Sequence, residues 1–193
     1  LEQVKELAKA MVDAGVDPLE IINKGLVGGM DIVAPLFKSG EMYIPEVLLS
    51  AKAMAAGVEI VKPYISDSDM STAGTIVIGT VKGDLHDIGK NLVAMMLESS
   101  GFKVINLGID IPTETFIAAI KEHAPDIVAM SALLTTTMME MKETVAAIKK
   151  EGYKVKCIIG GAPISQEFAA KIGADGYSAD AASAVELCKQ LLA

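Results

Sequence analysis

Gly83-Asp84-Leu85-His86-Asp87-Ile88-Gly89 gathers an imidazole, two carboxylates and two glycines into one short stretch, and it holds one of only two histidines in the chain. Imidazole nitrogen is a common ligand of borderline metal ions, cobalt among them. Asp84 stands two residues before His86, within reach of the ring if the stretch curls back. A carboxylate on the second nitrogen of a metal-bound histidine fixes its tautomer and raises its basicity. The glycines let the backbone come close to something bulky. On spacing alone the same residues serve as a solvated turn or a helix cap. The surrounding elements decide how much weight the chemical reading carries.

A strand-like run, Thr75 to Gly79, precedes the stretch, and a helix-like run, Lys90 to Ser100, follows it. Loops at the carboxyl ends of strands are where α/β sheets bind their ligands. Further strands are expected at 103–107, 126–131, 155–160 and 176–178. Helices are expected after Pro112, at 138–151, at 164–172 and at 181–192. Strict strand–helix alternation implies a parallel sheet covered on both faces. The expected fold here is α/β, flavodoxin-like (Rossmann-type): a doubly wound five-stranded parallel sheet of order 2-1-3-4-5, its switch point between strands 1 and 3. The loops after strands 1, 3 and 4 then face one crevice: Gly83–Gly89, Ser131–Thr137 and Gly160–Ala162. The second is rich in hydroxyls, which suit either a ligand or the cap of the helix beginning at Met138. Gly160-Gly161 makes either a tight turn or an opening wide enough for a flat ring. No G-x-G-x-x-G follows strand 1, and no phosphate loop ending in Gly-Lys-Ser/Thr is present, so the crevice is not a dinucleotide or nucleoside-triphosphate site.

The first third reads as a small α-helical bundle. Val4, Leu7, Ala8 and Met11 mark one helical face. Asp17-Pro18-Leu19-Glu20 is a helix start. Ile22, Leu26, Met30, Val33 and Phe37 continue at helical spacing, with Gly28-Gly29 as a point where the run could divide. Pro45 opens a third helix that buries Val47, Leu48, Ala51, Met54, Ala55, Val58 and Val61, with Pro63 beyond it. Met42, Tyr43 and Ile44 fall in the connection between, as core or as the cover of a ligand. Residues 66–72 are polar and without period, a linker. The expected division is 1–65 helical domain, 66–73 linker and 74–193 α/β domain.

Composition narrows the function classes. A net charge of −8 argues against a nucleic-acid surface and offers no basic patch to an anionic membrane. No apolar run reaches the roughly 18 residues of a membrane span, and no signal peptide is visible. Cys157 and Cys188 are isolated, buried thiols by expectation, consistent with a reducing cytoplasm. The chain begins at Leu1 rather than Met, which leaves room for a preceding piece. One histidine and two acids are too few for a zinc site. His123, before Pro125, reads as surface.

Asp84-x-His86-x-x-Gly89, then Ser131-x-Leu133, then Gly160-Gly161 resembles the cobalamin-binding signature D-x-H-x-x-G … S-x-L … G-G. The run from Gly79 to Asn91 is similar to the cobalamin module of methionine synthase. Gly29-Met30 through Leu36-Phe37 and Gly40-Glu-Met-Tyr-Ile-Pro45 resemble that family's helical cap. Size and layout match the small corrinoid proteins of methyltransferase systems, and the resemblance runs from about residue 17 onward. It implies a cobalamin or related corrinoid, with His86 as lower axial ligand of cobalt, Asp84 holding its other nitrogen, and Thr137 closing the relay where methionine synthase has Ser. Gly83, Leu85, Asp87, Ile88 and Gly89 would complete the loop beneath the corrin. Ser131, Leu133, Thr135, Gly160 and Gly161 would line the slot for the displaced nucleotide tail, and the loop from Tyr177 to Ala181 would sit near its end. Phe37 and Ile44 would shield the upper face. Such a chain is a carrier rather than an enzyme in its own right. It would move a methyl group on cobalt between a donor-specific methyltransferase and an acceptor methyltransferase serving a pterin or a thiol, with a reductive activator as a third partner and the linker as hinge. The alternative from another class is a cobalamin-binding regulatory or sensory module without methyl transfer, which should carry a DNA-binding domain.

Overall fold

A computed structural model describes residues 1–64 and 73–193. The chain forms two compact units, one helical and one α/β, the latter beginning at Ala73. All but the last residue of the expected linker 66–73 lies outside the described residues.

The helical unit contains α1 (Glu2–Asp13), α2 (Pro18–Glu20), a π-helical segment (Ile21–Val27), α3 (Gly28–Lys38) and α4 (Ile44–Val61). The Asp17 carboxylate caps α2 by accepting the Leu19 N–H at 2.9 Å, with Pro18 at the first turn. Gly28-Gly29 does not divide the run. Helix continues through both, and the turn widens before them. Ile22, Leu26 and Met30 recur every four residues, which is ordinary helical spacing, so the π turn over Ile21–Val27 is not encoded in the apolar period. α4 begins one residue earlier than Pro45, because the Tyr43 N–H donates to the Glu46 side chain at 2.8 Å and so completes half of a capping box. Its buried stripe is Val47, Ala51, Met54, Gly57 and Val61, while Ala55 faces solvent. A small core of Ala8, Ile21 and Val61 takes Val12, Val16, Ile22 and Ile60 against it. The α1 face is therefore rotated from the expected one, and Leu7 is 64% exposed.

The α/β unit is a sheet of five parallel strands in the order β2-β1-β3-β4-β5. They are β1 (Thr75–Val81), β2 (Lys103–Ile111), β3 (Ile127–Ser131), β4 (Lys156–Gly160) and β5 (Gly176–Ser178). The helices are α5 (Ile88–Ser99), α6 (Thr113–His123), α7 (Met138–Lys150), α8 (Gln166–Ile172) and α9 (Ala181–Leu192). The expected order and switch point are those observed. β1 is buried along nearly all of its length, as a central strand covered on both faces must be. One sheet face packs Val77, Val81, Val128, Met130 and Ile159 against Phe116 and Ile120 of α6, Met141 and Val145 of α7 and Ala169 of α8. Right-handed crossovers leave α5 and α9 to the opposite face. β2 runs four residues past its expected end at Leu107, into a segment carrying two register irregularities.

Cys157 and Cys188 are free and buried, and burial pushes both thiols up to about 12. The thiolate is the reactive form. Neither cysteine should react with Ellman's reagent at pH 8 until the protein is unfolded, when both should; labelling of the native protein at the rate of a free thiol would show that the core opens. Among the described residues no helix is long and apolar enough to cross a membrane.

Candidate functional site

The carboxyl ends of β1, β3 and β4 bring the three expected loops together. In-register pairing sets Thr80, Ser131, Gly160 and Ser178 side by side across four strands. Paired residues of parallel strands project to the same face, so three hydroxyls and one glycine form a row. The Thr80 hydroxyl donates to the His86 carbonyl at 2.9 Å, and the Ser131 hydroxyl, 2.9 Å away, donates to Thr80 in turn. Thr80 is fully buried. Sequence reasoning had not marked it, because it follows the apolar run of β1. The available signal was its place between that run and the Gly83–Gly89 loop.

Asp84 is fully buried and saturated with donors. Its Oδ1 lies 2.7 Å from His86 Nδ1 and accepts the His86 backbone N–H at 3.1 Å. Its Oδ2 accepts the Leu133 N–H at 2.7 Å, the Leu134 N–H at 3.3 Å and the Thr137 hydroxyl at 2.7 Å. Burial by itself would raise this carboxyl. The bonds from Thr137, Leu133 and His86 outweigh it and hold the group well below the usual carboxylate range. An ionised carboxylate can only accept, so Nδ1 carries the proton, and in the neutral ring Nε2 presents a lone pair. The His86 side chain is 51% exposed, and Nε2 makes no hydrogen bond among the described residues. The expected relay Asp84–His86–Thr137 is therefore one connected network.

Around it, Leu85, Leu133 and Leu134 on the loops and Ile88 at the start of α5 are exposed apolar side chains. Thr135 is also exposed. Gly161, at φ +128, passes so close to the β3 loop that a Cβ would lie 1.9 Å from the Ala132 carbonyl oxygen. Gly83, at φ +78, faces Thr137, with room for a Cβ but not a favourable backbone for one. Asp87 accepts from the Asn91 amide at 2.9 Å, and Gly89 lies in the first turn of α5. Tyr177 stands within β5 and packs partly buried against the core, whereas the next residue, Ser178, joins the Thr80 row. Ala181 is buried at the start of α9. Phe37, half-buried near the end of α3, and Ile44, exposed at the start of α4, belong to the helical unit. His123 is exposed.

A second polar cluster escaped the sequence reading. Lys90 is buried, and its ammonium donates to Asn91 Oδ1 at 2.6 Å and Asn106 Oδ1 at 2.8 Å. Burial pushes its pKa down.

Two families, each described as a B12 binding domain, match residues 74–186 and residues 1–62. Trimethylamine corrinoid protein 1 of Methanosarcina mazei is 45% identical over 195 aligned positions, covering 99% of this chain and 90% of that protein. The chain belongs to the B12-binding corrinoid proteins of methyltransferase systems. Dimethylamine corrinoid protein 1 of Methanosarcina acetivorans is 46% identical, over 92% of this chain and 85% of that one. A solved methanol:cobalamin methyltransferase complex from Methanosarcina barkeri includes a chain 35% identical to this corrinoid protein, at a TM-score of 0.89, covering 99% of this chain and 74% of that chain. A cobalamin-binding protein from Desulfitobacterium hafniense matches at a TM-score of 0.83 and 36% identity, over 96% and 89% of the two chains.

The cofactor of this family is a corrinoid, and the donor set fits one. Among the described residues no group of three or more His, Cys, Asp or Glu could hold a metal ion by itself. A single outward Nε2 suits a metal whose in-plane donors come from a macrocycle. The apolar rim of Leu85, Ile88 and Leu133 suits the face of such a ring.

Proposed function

We propose that this corrinoid protein carries a methyl group on cobalt between two methyltransferases. One is specific for a methyl donor such as a methylamine or methanol, and the other passes the methyl group to a pterin or a thiol. The carrying observation is the locked imidazole: Nδ1–H held on a buried carboxylate, Nε2 turned outward. The names of the relatives support the donor class. When bound, the corrinoid supplies a cobalt centre able to accept a methyl group and to release it.

The chain's own residues orient and poise that centre. His86 Nε2 would hold the cobalt of the bound corrinoid. Asp84 accepts the Nδ1 proton whether Nε2 meets metal or proton, because Thr137 and the Leu133 amide hold its other oxygen in place. Thr80, itself held by Ser131, fixes the His86 carbonyl and so holds the backbone from which the ring projects. Ser131, Leu133, Thr135, Gly160 and Gly161 would line the nucleotide slot, where the absence of a Cβ on Gly161 lets the loops after β3 and β4 approach each other closely. Tyr177 and Ala181 lie by the end of that slot.

The test is an absorption spectrum of the protein with added hydroxocobalamin, beside His86→Ala. Both should bind, and the spectra should differ in the cobalt bands. Identical spectra would remove His86 from the metal. The carrier role has its own readout: protein loaded with isotope-labelled methylcobalamin should yield label to a thiol or pterin only when a partner methyltransferase is added. Retention of all label under every partner and acceptor would favour a sensory module.

A further inference from the structure

The carboxyl end of β2 departs from regular pairing where it passes the His86 loop. Ile78 pairs with Asn106 but Gly79 with Gly108, and Val81 pairs with Ile111. One extra residue is thus accommodated at each of two steps, which makes two bulges. Bulges re-aim side chains and are concentrated beside active sites. The first is closed by Asn106 Oδ1, which accepts the Gly108 N–H at 3.0 Å and also the Lys90 ammonium. The second places Asp110 at φ +55, a left-handed conformation uncommon outside glycine. That turn aims Asp110 at the loop. Its Oδ1 accepts the Gly83 N–H at 2.7 Å, and its own N–H donates to the Asp84 carbonyl at 3.1 Å. Two bonds from one strained residue therefore hold the two residues that lead into His86. Strain of this kind persists where the surroundings over-determine it and is a pointer to function.

We propose that Asp110 is a positioning residue: the bulged end of β2 braces the Asp84–His86 loop, so that Asp84 meets the Leu133 amide and Nε2 keeps one position beneath the corrin. The proposal rests on the reading of His86 as a cobalt ligand only for its last clause. Asp110 touches neither the imidazole nor, in this role, the cofactor. It acts through the backbone of Gly83 and Asp84. Asn106 and Lys90 secure the far end of the same loop at α5.

Three substitutions separate side chain from backbone. Asp110→Asn keeps the acceptor and tolerates the left-handed turn. Asp110→Gly relieves the backbone and removes the acceptor. Asp110→Ala removes the acceptor and keeps the strain. The first readout needs no corrinoid: amide hydrogen exchange of Leu133, whose N–H is bonded to Asp84 and not to Asp110. Exchange should quicken at least tenfold in the Ala and Gly variants relative to core amides of β3, and stay near wild type in Asn. The second readout is the electron paramagnetic resonance of protein loaded with cobinamide, a corrinoid that lacks a nucleotide base, and reduced to Co(II), in which an axial imidazole nitrogen splits each line into three. The split fraction should at least halve in the Ala and Gly variants. Unchanged Leu133 exchange in both would overturn the brace, whatever the cobalt shows. A Gly variant behaving as wild type in both readouts would overturn the role of the carboxylate. If exchange responds but His86→Ala leaves the wild-type splitting intact, the brace stands and the cobalt-ligand reading fails.

Discussion

Asp84→Asn lowers the stability of the α/β unit at pH 7 by about 3 kcal/mol, because a buried acceptor of five donors becomes half donor. The amide nitrogen of Asn must face either the His86 pair or the Leu133–Thr137 group, and whichever it faces loses its acceptor at a fully buried position. Hydrogen bonds to a charged group contribute about 1.5–3 kcal/mol each, and losing part of a buried set leaves its partners desolvated. The pH dependence separates charge from shape. The folded carboxyl titrates well below the unfolded value of about 3.9. Between the two values the unfolded chain binds more protons, so stability rises with pH there. The contribution is complete above about pH 5 and is lost as pH falls through the folded value. Wild type should therefore weaken on acidification more steeply than Asp84→Asn, and the gap between them should narrow toward low pH. Chemical denaturation at pH 7, 5, 4 and 3 measures it. A gap that stays constant with pH would mean that the charge of Asp84 contributes nothing and only its shape matters.

The parts of this network that the sequence displays are those held by local spacing. Asp84 and His86 can meet because they are two apart on a loop that curls, and the loop is identifiable because an apolar strand precedes it and a helix follows. Thr137 and Leu133 reach Asp84 across the sheet. They become visible only through the strand order, which the alternation of elements and the right-handed crossover rule settle. Glycine and aspartate at 108 and 110 read as the end of a strand, since both are poor strand formers. In the fold they are what the bulges require, a positive φ at each. Their partner Gly83 lies 27 residues away, and no local period encodes that meeting. The same limit hid Thr80, whose direction is set by its register with Ser131. In the helical unit the four-residue apolar spacing was visible, but it is ordinary helical spacing, and the widened turn at Ile21–Val27 is a tertiary choice. Leu7 shows the converse: helical period marks a face without saying which edge of it Val61 and Ile21 will cover.

Gly161→Ala should have the larger effect of any single methyl added to the site. A Cβ there would stand 1.9 Å from the Ala132 carbonyl oxygen and 2.9 Å from its carbonyl carbon. Both atoms are backbone, so no rotamer change can relieve the overlap. The φ of +128 adds strain of about 1–3 kcal/mol for any residue with a side chain. The loops after β3 and β4 must separate, and the Ala132 N–H, which donates to the Gly160 carbonyl at 3.2 Å, is the first bond to stretch. The displacement passes one residue along to the Leu133 amide and hence to Asp84. A loss of about 3 kcal/mol or more follows from the strain and the broken pairing together. Hydroxocobalamin binding should fail or weaken at least tenfold in whatever protein remains folded. Gly160→Ala is the internal control. Its backbone lies outside the left-handed region, and its Cβ would sit 3.1 Å from the Ser178 carbonyl, a contact relieved by a few tenths of an ångström at an edge strand. The expected cost there is about 1 kcal/mol. Denaturation of both variants and their corrinoid titrations decide the matter. Equal effects of the two alanines would show that the β3–β4 loops are free to part, and that the close approach at Gly161 is not what shapes the slot.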